Sequence, residues 1–324
     1  MKKIITILTI IVCILCFPAC KKGGESLSVY APDGAPALAL SYAMQTVSGF
    51  DYNIVGSDVI EAKVTGEKPI ADVAIIPINT ASVYLGSGSI YQMLGVVTHG
   101  NFYFLSGNEV EINKQNASTL IGKTIGVVQL ANIPGLTLKV TLNALDIPFK
   151  ELKNGEEKDE NKVNLAPIKP TEIGVLGYDF YLAPSPVADA KSGALGLKFN
   201  GSLHDLYGEN GFPQAVIVAK KSVILSNKND INMLVNAIKE SENYLKIENK
   251  NAICTAVNSN LESGLTPVFN DKNLTQNAIN RANIKFVSAN DSKVEINSFL
   301  QKIKNVSTNS VEILSEVFFY NGEF

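Results

Sequence analysis

The sequence predicts an α/β protein, and two observations carry this prediction. From residue 27 onward, short apolar runs suited to buried strands alternate with stretches of helical period. Several of these strand-like runs end at a Pro, Gly or small polar residue and lead directly into a helix-like run. The 324 residues are 46% hydrophobic and 18% charged, a composition typical of globular proteins and sufficient for two hydrophobic cores.

The predicted elements alternate regularly up to about residue 220. Strands are predicted at Leu27–Tyr30, Tyr52–Val55, Val73–Ile76, Tyr91–Val97, Phe102–Leu105, Thr124–Val128, Val163–Leu165, Phe180–Leu182 and Ala215–Ala219. Helices are predicted at Ala37–Thr46, Asp58–Thr65, Ala81–Leu85, Ala117–Leu120, Leu136–Leu145, Thr171–Leu176 and Val187–Ser192. Beyond Val223 the spacing is almost entirely helical, which predicts a helical C-terminal tail.

The first 20 residues are typical of an export signal. Lys2 and Lys3 precede an apolar run that is too short for a comfortable membrane span, and the small residue Ala19 precedes Cys20. Ala19-Cys20 resembles the lipobox of bacterial lipoproteins, which implies a signal peptide over 1–20, acylation of Cys20 (palmitate) and a polar tether over 21–26. An uncleaved anchor helix is the alternative.

Charge and composition exclude several classes of function. The net charge is −3 and both signs are dispersed, so no basic surface for nucleic acid is expected. The chain has two histidines and four cysteines without metal-ligand spacing, so neither a metal site nor a cofactor is expected. Cys13 and Cys16 lie within the signal and Cys20 is the expected lipid site, which leaves Cys254 as a buried, unpaired thiol.

Four strand–turn–helix junctions are the candidate functional features. We name them the Asp33 turn (Asp33–Pro36), the Asn79 turn (Pro77–Thr80), the Gln129 turn (Gln129–Pro134) and the Ser185 turn (Pro184–Val187). In α/β sheets, ligands bind at the carboxyl ends of strands, where backbone amides and helix N-termini gather. Any one junction is explained by helix capping alone. The four together predict a shared cleft.

With these residues identified, the chain resembles the substrate-binding lipoproteins of ABC importers of the nitrate/taurine type, within the type II periplasmic binding protein superfamily. The resemblance spans residues 27–324, and the order of its loose motifs carries it. The matching stretches include "APDGAPALAL", "ADVAIIPINTASVYL", "IGKTIGVVQL", "YLAPSPVADAK" and "GFPQAVIVAKKSV".

The resemblance implies two lobes joined by two crossover hinge strands. The hinge strands would be Phe102–Leu105 and Val216–Ala219. The first lobe would comprise 27–106 with 221–324, and the second lobe 107–220. A ligand would lie between the lobes, which would close by a hinge motion.

The function implied is a solute-binding lipoprotein, anchored at the extracytoplasmic face of a bacterial membrane. It would act as a monomer and deliver a small molecule to an ABC permease and its ATPase. An anion and a pyrimidine-like or flavin-precursor-like metabolite are both open as the solute. The expected ligand-binding residues are Asp33, Gly34, Ala35, Asn79, Thr80, Thr98, His99, Asn101, Gln129, Asn132, Ser185 and Pro186.

Two of these residues have alternative interpretations. Asp33 either bonds the backbone of its own turn or pairs with a cationic ligand. The second interpretation disfavours a simple anion as the ligand, because the carboxylate would repel it. His99 either packs as a polar residue beside the crossover or contacts the ligand.

Two other functions remain open at this stage. One is an enzyme on the same fold, similar to menaquinone-pathway enzymes, for which Asp33 with His99 is the only acid–base pair that the sequence offers. The other is a binding lipoprotein that feeds a sensor instead of a permease.

Overall fold

The computed structural model describes residues 26–86, 88–208 and 211–324. The expected export signal, the acylation site at Cys20 and most of the 21–26 tether lie outside these residues. Within the described part of the chain, no helix is long and apolar enough to cross a membrane.

Among the described residues, twelve strands form two mixed sheets of six. The strands are β1 Leu27–Pro32, β2 Phe50–Val55, β3 Val73–Pro77, β4 Tyr91–Thr98, β5 Phe102–Ser106, β6 Thr124–Val128, β7 Phe149–Glu151, β8 Val163–Ile168, β9 Phe180–Pro184, β10 Lys198–Ser202, β11 Ala215–Lys220 and β12 Ile284–Ser288. The first sheet has the order β12-β4-β11-β3-β1-β2, and the second has the order β10-β5-β9-β6-β8-β7.

The two sheets repeat one topology. In the first sheet β1, β2 and β3 are parallel, and β11 lies antiparallel between β3 and β4. In the second sheet β6, β8 and β9 are parallel, and β5 lies antiparallel between β9 and β10. The predicted α/β fold with two lobes is therefore confirmed, one lobe being built on each sheet.

The crossovers differ from the expected hinge strands. β5 belongs to the second sheet and β11 to the first. Each antiparallel strand is therefore the first strand that the chain forms after it leaves the other sheet. The chain passes between the sheets at 99–101 and again after α7, which spans Leu203–Tyr207, with 211–214 leading into β11. The expected lobe boundaries, at residues 106 and 220, therefore place β5 in the first lobe and β11 in the second, the reverse of the sheets that they join. The sequence of an extended apolar strand does not reveal which sheet it pairs with.

Helices cover the faces of both sheets. They are α1 Ala35–Leu40, α2 Ala43–Thr46, α3 Ile60–Val64, α4 Ile78–Thr80, α5 Ile133–Ala144, α6 Val187–Leu195, α7 Leu203–Tyr207, α8 Lys221–Ser226, α9 Lys228–Tyr244, α10 Lys250–Ser259, α11 Gln276–Arg281 and α12 Ala289–Val306. A π-helical turn, Ala81–Leu85, continues α4, and short 3-10 turns lie at Ala117–Leu120, Pro170–Glu172, Ile247–Asn249 and Glu316–Phe318. Cys254 is buried in α10, as expected.

The C-terminal tail is mostly helical, as predicted, and it contacts both lobes. α9 packs on α1 of the first lobe, whereas α12 packs on both β4 and α5. Phe212, in the second crossover, lies 5.8 Å from Phe102 and 5.6 Å from Phe299 of α12, ring centroid to ring centroid. The tail therefore does not belong to the first lobe alone, because burying the apolar face of α12 requires α5.

Candidate ligand-binding cleft

The four turns follow the carboxyl ends of β1, β3, β6 and β9, and they meet in pairs across the two lobes. A Cβ built on Gly34 would lie 3.9 Å from Cδ of Pro186, which places the Asp33 turn against the Ser185 turn. Asn79 Nδ2 donates to Asn132 Oδ1 at 3.2 Å, which places the Asn79 turn against the Gln129 turn. Each of these two contacts joins one turn of the first lobe to one turn of the second lobe.

The pairing follows the repeated topology of the sheets. Positions in the two sheets correspond when they are counted from the antiparallel strand, which is β11 in the first sheet and β5 in the second. β3 and β9 are then the first neighbours, and β1 and β6 are the second. The turn after β1 meets the turn after β9, and the turn after β3 meets the turn after β6. The two contacts are thus related by an approximate two-fold relationship between the lobes.

Asp33 is a turn residue whose carboxylate is already bonded. Oδ1 accepts from the Gly34 amide at 2.7 Å, and Oδ2 accepts from the Val268 amide at 2.8 Å. Burial raises the pKa of Asp33, and the two amide hydrogen bonds oppose that shift. Gly34 has φ 109° and ψ −141°, a conformation that glycine alone adopts readily. Ala35, buried, opens α1 directly after it.

Gln129 and Thr80 complete the predicted set at the turns, and Ser57 joins them. Gln129 Nε2 donates to Ser57 Oγ of the first lobe at 2.9 Å, while Thr80 is buried at the end of α4. Ser57 follows β2, the neighbour of β1, and sequence reasoning missed it. Its position just after β2, a strand parallel to β1, could have indicated that Ser57 lies at the same edge of the sheet as the Asp33 turn.

Thr98 and His99, predicted to contact ligand, are bonded to the backbone of the crossover region. Thr98 Oγ1 accepts from the Ala215 amide at 3.1 Å. His99 Nε2 lies 3.1 Å from the Lys285 carbonyl, and its amide donates to the Asn283 carbonyl at 3.1 Å. These contacts favour the interpretation of His99 as a packed polar residue. Burial lowers its pKa to about 4.

Acidification is expected to destabilise the protein through His99. Its folded-state pKa lies below the ordinary value of 6.5, so between these two values the unfolded chain binds more protons. The stabilising contribution of neutral His99 is therefore complete above about pH 6.5 and is lost as the pH falls toward 4. Between pH 7 and pH 5 we expect this residue to remove about 2 kcal/mol from the free energy of unfolding.

Urea titrations of the wild type and of His99→Gln at the two pH values measure this effect. Glutamine cannot gain a proton in this range and can still donate to the Lys285 carbonyl. The variant should lose most of the difference between pH 7 and pH 5. An equal pH dependence in both proteins would contradict the assignment to His99.

Asn101 and Ser185 form one bonded unit beyond the ladder of β5 and β9. The Ser185 amide donates to the Asn101 carbonyl at 2.8 Å, and Asn101 Nδ2 donates to the Ser185 carbonyl at 2.9 Å. Ser185 Oγ lies 2.6 Å from Oδ2 of Asp189 and 3.1 Å from the Ala278 carbonyl. This unit connects the first crossover, the Ser185 turn and α11.

Arg281 and Asp189 form an ion pair beside this unit that sequence reasoning missed. The N–O distance is 2.7 Å, and the carboxylate side chain is only 7% exposed. The guanidinium lies 3.8 Å from the ring centroid of Phe199, and the Tyr103 hydroxyl donates to the Arg281 carbonyl at 3.2 Å. Arg281 is the only arginine in the sequence, which could have marked it as a residue to examine.

Metal-binding clusters of three or more His, Cys, Asp or Glu side chains do not occur among the described residues. Two surface depressions of about 360 and 330 Å³ lie away from the four turns, at the C-terminal end of α5 and at the outer edge of the first sheet. The arrangement at the turns offers hydrogen-bonding groups from both lobes to a small molecule.

Comparisons with known proteins give a consistent fold. A scan of protein-family models and a search of curated proteins find no match. Solved structures do match. The crystal structure of an ABC transporter from Parabacteroides distasonis has a TM-score of 0.70 at 14% identity, over 93% of this chain and 100% of that chain. The periplasmic aliphatic sulphonate binding protein SsuA from Escherichia coli has a TM-score of 0.60 at 13% identity, over 93% and 95%.

An enzyme shares this architecture. DszB in complex with biphenyl-2-sulfinic acid has a TM-score of 0.57 at 13% identity, over 91% of this chain and 96% of that chain. At these identities the comparisons speak to the fold alone. The chain has the two-lobed α/β fold seen in periplasmic solute-binding proteins.

Proposed function

We propose that this protein is the solute-binding component of an ABC importer, which captures a small molecule between its lobes and delivers it to a membrane permease. The observation that carries the proposal is the pairing of two turns from each lobe, Gly34 with Pro186 and Asn79 with Asn132. Ligands of open α/β sheets bind at this edge of the strands. The likeness to SsuA, a sulphonate-binding protein, supports the same role.

The proposal includes export and a lipid anchor at Cys20. In this picture residues 1–19 are removed, Cys20 becomes the first residue and is acylated, and the folded part stands at the extracytoplasmic face of the membrane as a monomer. Its partners are the permease and the ATPase of the importer. The supporting observation is the sequence pattern Lys2, Lys3, apolar run, Ala19-Cys20.

Binding without chemistry is favoured over an enzyme on the same fold. Asp33 and His99 were the only acid–base pair that the sequence offered. Asp33 accepts from two backbone amides, and His99 bonds to the carbonyl of Lys285. Neither side chain bonds to the other, so the geometry gives no support for concerted proton transfer between them.

Native mass spectrometry of freshly purified protein tests the proposal, because such a cleft is expected to retain its solute. A solute added at a hundred times its Kd stabilises the folded state by about 2.7 kcal/mol, which raises the melting temperature by about 4 °C. Absence of any retained mass, together with no melting response to anions, amines, pyrimidines or flavins, would contradict the proposal.

A matched pair of tryptophan variants tests the place of binding. Asn132 is exposed, and its side chain makes no capping hydrogen bond to α5. Asn132→Trp loses the hydrogen bond from Asn79, so the melting temperature of the solute-free protein should fall by only about 2 °C, while the bulk of the indole keeps the lobes from closing on a solute. Asn143→Trp, at the exposed opposite end of α5, should bind normally. Equal affinities in the two variants would place the solute elsewhere.

A further inference from the structure

Two buried amide oxygens at the cleft lack a hydrogen-bond donor from the protein. Among the described residues, seven buried side-chain atoms have no partner, and Asn79 Oδ1 and Asn101 Oδ1 are the two that belong to predicted cleft residues. Asn79 is 8% exposed and Asn101 is 1% exposed. A buried acceptor without a partner is costly, so polar ligands that supply the missing donor bind with an advantage.

The orientation of Asn101 is determined by its neighbour. Its amide group faces the Ser185 carbonyl at 2.9 Å. A carbonyl oxygen can only accept, so the nitrogen must point to Ser185 and the unpaired oxygen must lie on the other side of the group. At Asn79, Nδ2 donates to Asn132 Oδ1 at 3.2 Å, which leaves Asn79 Oδ1 as the unpaired atom of that amide in the structure. Both side chains therefore present acceptors.

The charges around the cleft do not favour an anion. The four turns contain one charged residue, Asp33, and its two oxygens are occupied by backbone amides. The only arginine is paired with Asp189 and stacked on Phe199. A sulfonate or nitrate entering here would meet acceptor oxygens from Asn79 and Asn101 without a free guanidinium to balance its charge.

We infer that the solute is a small nitrogenous compound, an amine, amide or amino-substituted heteroaromatic ring, whose N–H groups donate to Asn79 Oδ1 and Asn101 Oδ1. This inference rests on the proposed function and narrows its solute class. Each N–H to acceptor bond contributes about tenfold to a hundredfold in affinity, since its loss leaves a buried oxygen unpaired.

Isosteric probe pairs test the inference by calorimetry. Aminopyrimidine is compared with methylpyrimidine substituted at the same ring position, and taurine with propanesulfonate. In each pair an N–H-bearing group is replaced by a methyl group. We expect the amino member of at least one pair to bind about tenfold to a hundredfold more tightly than its methyl counterpart.

A variant pair ties the effect to the side chain. Asn79→Leu also removes the bond to Asn132, so it can weaken both probes, but it should weaken the amino probe about tenfold to a hundredfold more than the methyl probe. Asn258→Leu makes the same change at another unpaired acceptor, in α10, and should alter neither affinity. Asn101 is not the residue to change, because it also holds the Ser185 turn.

The outcomes separate the inference from the function. If the methyl member of each pair binds as tightly as its amino counterpart, or if the retained solute has no N–H group, the solute class is wrong and the binding function stands. If no probe binds but a retained solute carries N–H groups, the inference is supported, provided that Asn79→Leu protein retains less of it. If no probe binds and no solute is retained, the proposed function fails and the inference fails with it.

Discussion

Replacing Gly135 by alanine is expected to lower the free energy of unfolding by about 3 kcal/mol, because a side chain there meets backbone instead of a movable group. A Cβ at this position would lie 1.9 Å from the Leu130 carbonyl oxygen and 2.7 Å from Leu130 Cα. Gly135 stands in the first turn of α5, and Leu130 belongs to the Gln129 turn. Relief of the clash must open that turn.

Urea unfolding of Gly135→Ala measures the effect, and Gly193→Ala is its control. Gly193 lies inside α6 with open space around a built Cβ, so alanine should be neutral or stabilise the helix by about 0.5 kcal/mol. The Gly135 variant should also bind solute more weakly, since Gln129 and Asn132 move with the turn. Equal midpoints for the Gly135 variant and the wild type would show that the turn can relax at no cost.

Replacing Arg281 by alanine is expected to cost about 3 kcal/mol. The change leaves Asp189, whose side chain is 7% exposed, without its ionic partner at 2.7 Å. It also removes the stacking of the guanidinium on Phe199 at 3.8 Å. The pair joins α11 of the tail to α6 of the second lobe, so its loss should also loosen the contact between tail and lobe.

The control for Arg281 is Lys304→Ala. Lys304 pairs with Glu312 at 2.6 Å, but both side chains are substantially exposed, and such pairs contribute about 0.5 kcal/mol. A double variant, Arg281→Ala with Asp189→Ala, separates the two contributions, because it removes the unpaired charge and should recover part of the lost stability. If Arg281→Ala costs no more than Lys304→Ala, the buried pair is not stabilising the structure.

Local patterns in the sequence predicted most of the strands and the turns that lead from strand to helix. β6 spans the predicted residues, Thr124–Val128, and the observed bounds of the other predicted strands differ by a few residues at their ends. The turns were recognisable because Pro36, Pro134 and Pro186 stand where helices begin and Gly34 stands where the backbone needs positive φ. These are properties of a few consecutive residues.

Edge strands and strand pairing were not predictable in this way. β7, β10 and β12 were missed because they are edge strands and lack a clear apolar run, and β7 has only three residues. β5 and β11 were found as strands but assigned to the wrong lobes. Backbone hydrogen bonds can pair strands of almost any sequence, so the residues of a strand do not identify its partner strand.

The sequence by itself determined the more apolar strands, the four junctions at which a strand turns into a helix and the polar residues at those turns, because these features depend on local backbone preference and periodicity. Only the tertiary structure decided that Gly34 meets Pro186 and that Asn79 meets Asn132. It also decided that Asp33 bonds the amide of Val268, and that Arg281 reaches Asp189. Each of these partners is far away along the chain, and the contact between them exists only once both sheets are assembled.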